Sequence, residues 1–291
     1  MSDTTEPRYA EIARLMAVTN DWITPWFAPE VPFWGKPPLP FWLQAISINI
    51  LGFSDFAVRL PSWLFTAGSA WLVFKVGAAV FSPMIGLWAA GIFASSALVH
   101  LTMGAVMLDS PLAFGVTLTL TGYLICSAAN NREQSVSWFW RWAPFFGLAI
   151  GFLSKGPVTL ALLCVPGFVM LFYASWRNML AKLPWIWGSV ATAAAVVPWF
   201  ILAEIKTPGF LNYFIVGEHF LRFTDPGWNG DLYGTAHKEP LGMIWGEGLK
   251  ATLPWGFAVV IMGLYKLTQK RSREQLYAQA GQTFWCLSQQ C

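Results

Sequence analysis

Charged residues are scarce in this chain. They make up 11% of its 291 residues, whereas a typical soluble domain carries about 25%. The net charge is only +3 and the basic residues form no dense cluster, so a nucleic-acid partner is not expected. Cysteine is also rare, with four copies and no metal-site or disulfide spacing. These shortages exclude an ordinary soluble surface, a nucleic-acid interface and a disulfide scaffold.

Apolar residues, by contrast, supply 56% of the chain and come in long blocks. A membrane-spanning helix needs about 20 apolar residues, and about 17 is the practical minimum. By length and composition the blocks predict about seven spans, of which the fourth is short: 60–80, 85–101, 110–127, 142–154, 157–174, 184–203 and 251–267. The expected fold is therefore an all-α integral membrane bundle.

Two further helices are predicted before the first span. Residues 9–18 have an amphipathic pattern, which predicts a helix lying on the membrane surface. Residues 39–52 are apolar but too short to cross, and they follow the rigid Lys36-Pro37-Pro38 turn. We expect them to form a juxtamembrane or re-entrant helix.

The distribution of Lys and Arg predicts the orientation. Seven crossings with 1–59 outside place 128–141, 175–183 and 266–291 inside, where eight basic residues and only two acids lie. The predicted organisation is one membrane domain. It has four parts: an outer loop at 1–59, transmembrane helices over 60–203, an outer loop at 204–250, and a helix with an inner tail over 251–291.

This orientation brings several ionisable residues to the outer boundary. Asp109 and Lys155 are the strongest candidates for a site, because each is the only charge in a long apolar stretch and is costly to hold there without a partner. Lys155 also lies in Ser154-Lys155-Gly156-Pro157, a predicted break between two helices.

The outer loops supply the other candidates. Asp3 and Glu6 precede Arg8 and Tyr9, although Glu6 is equally explained as an acid favoured at a helix N-terminus. The stiffly held Lys36 offers a charge to a substrate or to a lipid headgroup.

A carboxylate, an imidazole and a guanidinium lie close together in the second outer loop, at Glu218, His219 and Arg222. This trio suits phosphate, which Arg binds well through paired donors. His219 alone is equally explained as an ordinary surface histidine. Acids with cations at an outer face suit transfer from a lipid phosphate, with a carboxylate as base and cations neutralising the leaving phosphate.

At this point an ordered set of motifs resembles a known family. The stretches are DTTEPRYAEIARLM, NDWITPWF, KPPLPFW, FAVRLPSWLF, MLDSPL, GFLSKGPV, PWF, PGFLNYFIVGEHFLRF, YGTAHKEPLGMIW and LPW. Together they resemble bacterial lipid-linked-sugar glycosyltransferases of the GT-C fold: glycosyltransferase family 39, the protein mannosyltransferase relatives and the aminoarabinose transferase that modifies lipid A. The resemblance covers residues 3 to about 256.

The resemblance implies a multi-pass protein of the bacterial inner membrane, with its active site on the periplasmic side. It implies transfer of a sugar from a polyprenyl-phosphate donor to a lipid or glycan acceptor. Asp3 or Glu6 matches the catalytic carboxylate and Asp109 the second acidic position. The residues matching the family's substrate-binding motifs are Arg8, Tyr9, Lys36, Lys155, Glu218, His219 and Arg222.

The chain also departs from the family pattern. Gly35 stands where many members have an acid before the KPP lysine. Members begin with a helix before the acidic motif and continue through more helices after LPW, so we expect this chain to be a truncated member, which would leave its own activity in question. No cofactor is demanded, and a divalent metal at the outer acids is left open without a ligand spacing that requires one.

Two other classes compete with the enzyme. A transporter or lipid flippase predicts charges buried at mid-bilayer and paired broken helices, whereas here the ionisable groups gather at one boundary. A non-catalytic membrane scaffold needs no converging carboxylates. Convergence of Asp3 or Glu6, Asp109 and Lys155 therefore separates the enzyme from both alternatives.

Overall fold

The computed structural model describes residues 5–171, 182–224, 232 and 242–268. The described chain is helical apart from one short antiparallel hairpin, Trp26–Ala28 with Val31–Pro32. The helices are α1 Thr5–Thr19, α2 Leu39–Leu51, α3 Asp55–Val80, α4 Pro83–Ser95, α5 Ala97–Thr102, α6 Asp109–Asn131, α7 Trp138–Lys155, α8 Val158–Leu171, α9 Trp185–Lys206, a π-helix Asn212–Leu221 with one α-helical turn Arg222–Thr224, α10 Met243–Ala251 and α11 Trp255–Thr268. The all-α membrane fold predicted from the sequence is confirmed.

The N-terminal helix α1 packs inside the protein. Its residues Ile12 and Met16 are fully buried in a cluster with Phe41 of α2 and Val106. The predicted amphipathic helix is thus present, with its apolar face packed against protein, and its position at the membrane surface stays a prediction. α2 and the segment before α6 cover this apolar face.

The second helix α2 begins after the predicted proline turn, with Pro38 at its N-cap. One face is buried through Phe41 and Ala45, while Ile46 and Ile50 are exposed. A helix of 13 residues is too short to span a membrane. Its exposed isoleucines therefore fit a juxtamembrane position.

Small residues let α6 and α7 approach closely. A Cβ on Gly147 of α7 would lie 2.4 Å from the carbonyl oxygen of Gly115, and one on Gly115 of α6 would lie 2.8 Å from the amide nitrogen of Gly151. The Thr119 hydroxyl shares its proton between the Gly115 carbonyl of its own helix, at 2.9 Å, and the Pro144 carbonyl of α7, at 3.1 Å. Spacing of small residues four apart is a common way for membrane helices to pack. It fixes the ends of α6 and α7 against each other.

The break predicted after α7 is confirmed. α7 ends at Lys155 and α8 begins at Val158. Gly156 between them has φ +68°, a left-handed conformation that glycine adopts without strain.

Fewer helices meet the length of a span than the sequence predicts. Within the described residues, α3, α6 and α9 are long and apolar enough to cross a membrane, and α10 with α11 adds a fourth only as a pair bent by 110°. The predicted span at 85–101 is interrupted between α4 and α5. Nor is 204–250 a plain loop, because it contains the end of α9, the π-helix and α10. The number of crossings and the four-part organisation stay predictions.

The chain divides into two compact units. The first comprises residues 1–93 and 101–238, and the second comprises 94–100 and 239–291. In the second unit the Ala97 amide donates to the Leu253 carbonyl at 2.8 Å, and the Trp255 indole donates to the Ser95 hydroxyl at 2.9 Å. All predicted site residues that the structure describes belong to the first unit.

Candidate functional site

Glu6 lies in the first turn of α1, and its carboxylate is buried with both oxygens engaged. Oε1 accepts a hydrogen bond of 2.9 Å from the Val106 amide, and Oε2 lies 3.4 Å from the Arg59 guanidinium. Arg59 in turn donates to the Gly104 carbonyl. Glu6 therefore ties α1 to α3 and to the segment that precedes α6.

Asp109 and Lys155 form an ion pair between helix ends. Asp109 is the first residue of α6 and Lys155 is the last residue of α7, so the close packing of these two helices brings the side chains together. The Lys155 side chain is more buried than that of Asp109, with exposed fractions of 28% and 56%. Asp109 and Lys155 are therefore each other's partner, as expected for two isolated charges in apolar stretches.

Lys36, Glu218 and Arg222 form a second charged group. The Lys36 ammonium pairs with Oε1 of Glu218, and the Arg222 guanidinium donates to the same oxygen at 2.9 Å. Glu218 is buried, with 7% of its side chain exposed. One carboxylate thus holds two cations from segments more than 180 positions apart in sequence.

The π-helix positions Glu218 and His219. Its entry is held by Glu204, whose carboxylate oxygens accept from the Gly209 amide at 2.9 Å and the Leu211 amide at 2.7 Å. Nδ1 of His219 lies 2.6 Å from the Phe214 carbonyl, a contact that requires a proton on this nitrogen. Nε2 lies 3.4 Å from the Lys155 carbonyl, so His219 connects the π-helix with the end of α7.

The two charged groups act on each other electrostatically. Burial lowers the pKa of Lys36 below its ordinary value, and the nearby charges of Lys155 and Arg222 lower that pKa further while Glu218 raises it. Lys36, Lys155 and Arg222, here called the charged cluster, share two carboxylates, those of Glu218 and Asp109. Because like charges this close repel one another, a phosphate among them would be stabilised, which makes the charged cluster a suitable anion site.

Tyr9 connects the charged cluster with α1. Burial raises the pKa of its phenol to about 12, and the negative charge of Asp109 raises it as well. The hydroxyl is therefore protonated at neutral pH and able to donate a hydrogen bond. The ring packs edge-on against Phe41, with centroids 5.8 Å apart.

Arg8 contacts the hairpin through its guanidinium. This group lies 5.6 Å from the centroid of the Phe27 ring, in a cation–π contact. Its positive charge also acts on Tyr9 and lowers the pKa of that phenol. Arg8 thus borders the cluster from the side of α1.

The structure brings most of the predicted site residues together. Tyr9, Lys36, Asp109, Lys155, Glu218, His219 and Arg222 share one region through contacts or electrostatic interaction. Asp3 lies outside the described residues. In the described part of the chain no group of three His, Cys, Asp or Glu lies close enough to hold a metal ion, so those residues supply no ligand set for the divalent metal left open above.

Sequence reasoning missed Arg59 as a partner of Glu6. It lies within the FAVRLPSWLF motif and is the only cation in its apolar stretch until Lys75. The criterion that selected Asp109 and Lys155 does not single it out, because Asp55 lies four positions earlier and Arg59 is therefore not an isolated charge.

Comparison with known proteins places this arrangement in a family. The profile of the dolichyl-phosphate-mannose-protein mannosyltransferase family matches residues 1–214. Undecaprenyl phosphate-α-4-amino-4-deoxy-L-arabinose arabinosyl transferase of Aeromonas hydrophila is 32% identical over 255 residues, and that of Yersinia pestis strain Pestoides F is 30% identical over 256 residues. Each alignment covers 86% of this chain, which spans about two fifths of these relatives, 44% and 43% of their length.

The fold agrees with the same relationship. The crystal structure of ArnT from Cupriavidus metallidurans bound to undecaprenyl phosphate superposes with a TM-score of 0.75, covering 92% of this chain and 47% of ArnT at 22% identity. The apo structure of that protein gives a TM-score of 0.69. The GT-C fold is therefore confirmed, and the chain is a multi-pass inner-membrane protein. It belongs to the dolichyl-phosphate-mannose-protein mannosyltransferase family.

Proposed function

We propose that this chain forms the donor-phosphate site of a membrane glycosyltransferase that moves a sugar from a polyprenyl-phosphate carrier to a lipid or glycan acceptor. The site faces the periplasm. The observation that carries the proposal is the convergence of Lys36, Lys155 and Arg222, which come from three distant segments, around only two described carboxylates. Members of the arabinosyl transferase group named above use an undecaprenyl-phosphate-linked sugar, by their names.

In this reaction the acceptor hydroxyl attacks the anomeric carbon of the sugar. Its proton passes to a carboxylate, while the bond between the anomeric carbon and the phosphate oxygen breaks and polyprenyl phosphate leaves. Lys36, Lys155 and Arg222 stabilise the negative charge that develops on the phosphate. The Tyr9 hydroxyl is placed to donate a hydrogen bond, and Asp109 holds Lys155 in position.

The catalytic base is Asp3 or Glu6. Both carboxylate oxygens of Glu6 are engaged by the Val106 amide and the Arg59 guanidinium, which favours Asp3 as the base and gives Glu6 a positioning role. Asp109 is the third acid of the proposed site, where it pairs with Lys155. Arg8 and His219 border the site, where His219 positions the π-helix that carries Glu218.

The gathering of charge at one end of α6 and α7 also argues against a transporter. A transporter places its substrate and coupling ions near the bilayer midplane between broken helices. Here Asp109 begins α6, Lys155 ends α7 and Arg222 follows the π-helix, so the charges occupy helix ends. Groups at helix ends meet a substrate at the membrane boundary.

The test is binding of undecaprenyl phosphate to the purified chain in detergent, measured by native mass spectrometry against undecaprenol of the same length. We expect the phosphate to bind at least about tenfold more tightly, and Lys36→Gln or Arg222→Gln to remove most of that preference, because each loses a charged hydrogen bond. The control is Lys250→Gln, which removes an exposed cation of the second unit. Equal binding of the phosphate and the alcohol would refute the proposal.

A further inference from the structure

A second polar cavity lies at the far ends of α6 and α7. Its volume is about 170 Å³, and it is lined by Cys126, Asn130, Gln134, Val136, Arg141 and Lys182. Asp109 and Lys155 occupy the opposite ends of the same two helices. Since α6 has 23 residues and a helix rises about 1.5 Å per residue, roughly 30 Å separates this cavity from the candidate site.

The charged residues that line this cavity are both cations. Arg141 and Lys182 both line it, and none of the six lining residues is acidic. The Lys182 ammonium donates to the side-chain carbonyl of Asn130 at 2.7 Å, so a neutral acceptor orients the cation without neutralising it. Two cations that line one cavity, with no acid among the lining residues, are suited to bind an anion.

Aromatic residues mark the level of the cavity relative to the membrane. Trp138 in the first turn of α7 is exposed, as are Trp185 and Trp187 in the first turn of α9. Exposed tryptophans at helix ends mark the interface between hydrocarbon and water, where lipid phosphates lie. Lys182 is three positions before α9 and Arg141 is three after Trp138, so both cations lie at that depth.

The size of the cavity points to a headgroup rather than a cofactor. Sites for drug-sized ligands measure about 300–1,000 Å³, well above the cavity volume of about 170 Å³. Basic pockets between membrane helices on the cytoplasmic side bind anionic lipid headgroups. The cavity therefore has the charge, the depth and the size of a lipid-phosphate site.

We infer that Arg141 and Lys182, with Asn130 and Gln134, bind the phosphate of an anionic phospholipid in the leaflet opposite the candidate site. The guanidinium of Arg141 pairs with two phosphate oxygens, and Lys182 contributes a point charge. Gln134 and Asn130 add neutral hydrogen bonds. This lipid anchors the connection between α6 and α7 at the membrane surface.

Native mass spectrometry of the purified chain tests this site, with phosphatidylglycerol, cardiolipin and phosphatidylcholine of matched acyl chains as probes. We expect the two anionic lipids to bind at least about tenfold more tightly than phosphatidylcholine. The Arg141→Gln, Lys182→Gln double variant should lose that preference. Arg132→Gln is the matched control, since Arg132 lies on the same side but contacts the Val80 carbonyl instead of the cavity.

Two further measurements complete the test. One distinguishes a lipid phosphate from free phosphate, and the other uses a charge-conserving variant to separate loss of charge from misfolding. Inorganic phosphate at millimolar concentration should leave lipid binding unchanged, and displacement of the lipid by it would overturn the lipid assignment. The Arg141→Lys, Lys182→Arg variant keeps both charges and should retain the preference for anionic lipid. Equal binding of all three lipids, or unchanged binding in the Gln double variant, would overturn the site itself.

Discussion

At the scale of single residues, Glu218 holds the candidate site together. Its buried carboxylate accepts from both Lys36 and Arg222. Removing the carboxylate leaves two partly buried cations facing each other, and breaking a buried pair in this way costs about 3 kcal/mol. We therefore expect Glu218→Ala to lower the thermal unfolding midpoint of the purified chain in detergent by several degrees, measured by intrinsic fluorescence.

The control for this change is Glu247→Ala. Glu247 pairs with Lys250 at 2.7 Å, but both side chains are exposed, and exposed ion pairs contribute little to stability. Its midpoint should stay close to that of the parent chain. Equal shifts for the two variants would show that the Glu218 pair is screened by solvent and does not hold the site.

Some of these residues could be predicted from the sequence and others could not. Asp109 and Lys155 were recognisable because an isolated charge in an apolar stretch requires a partner, and each proved to be the partner of the other. The pairing of Lys36 with Glu218 was not predictable, because it depends on tertiary packing across 182 positions. The hydrogen bond from the Val106 amide to Glu6 could not be predicted either, because every residue except proline has a backbone donor and the sequence does not show which one is used.

At the scale of helices, the contact between α6 and α7 determines where the ion pair forms. Gly147 lies so close to α6 that an added Cβ would meet the Gly115 carbonyl at 2.4 Å and the Thr119 hydroxyl at 2.4 Å. Backbone atoms cannot move aside as a flexible side chain can. The Gly147→Ala substitution should therefore push the helices apart and destabilise the chain by about 1–3 kcal/mol, read as a lower unfolding midpoint in detergent.

The matched control is Gly91→Ala in α4, where an added Cβ would meet no atom within 4 Å. Alanine is favoured over glycine inside a helix by up to about 1 kcal/mol, so this variant should be neutral or slightly more stable. If both alanines behaved alike, close packing at Gly147 would not account for the position of α7.

Helix positions were easier to predict than helix partners. Prolines predicted the turn after Lys36 and Gly156 predicted the break after α7, because these residue types restrict or permit particular backbone conformations. Both predictions are confirmed. The burial of α1 was not foreseen, because an amphipathic face fits a membrane surface and a protein surface equally well. Only the residues that cover the face distinguish the two cases.

At the scale of the whole molecule, two consecutive antiparallel helices explain why distant motifs converge. α6 runs away from Asp109 and α7 returns to Lys155, so the two motifs meet on one side whatever the total number of crossings. That part of the site followed from the sequence. The total number of spans did not, because several apolar helices are shorter than the membrane is thick and hydropathy alone does not show how they cross.

The sidedness of the protein gives the last prediction. We expect single cysteines at Asn20 and Thr224, both exposed, to react with a membrane-impermeant maleimide in intact spheroplasts, because both flank the candidate site. A cysteine at the exposed Glu133, between α6 and α7, should react only after the membrane is opened. The background is a chain whose four native cysteines are replaced by alanine. Labelling of residues 20 and 224 from opposite sides would exclude a shared periplasmic site, since the two positions would then lie across a hydrocarbon layer about 30 Å thick.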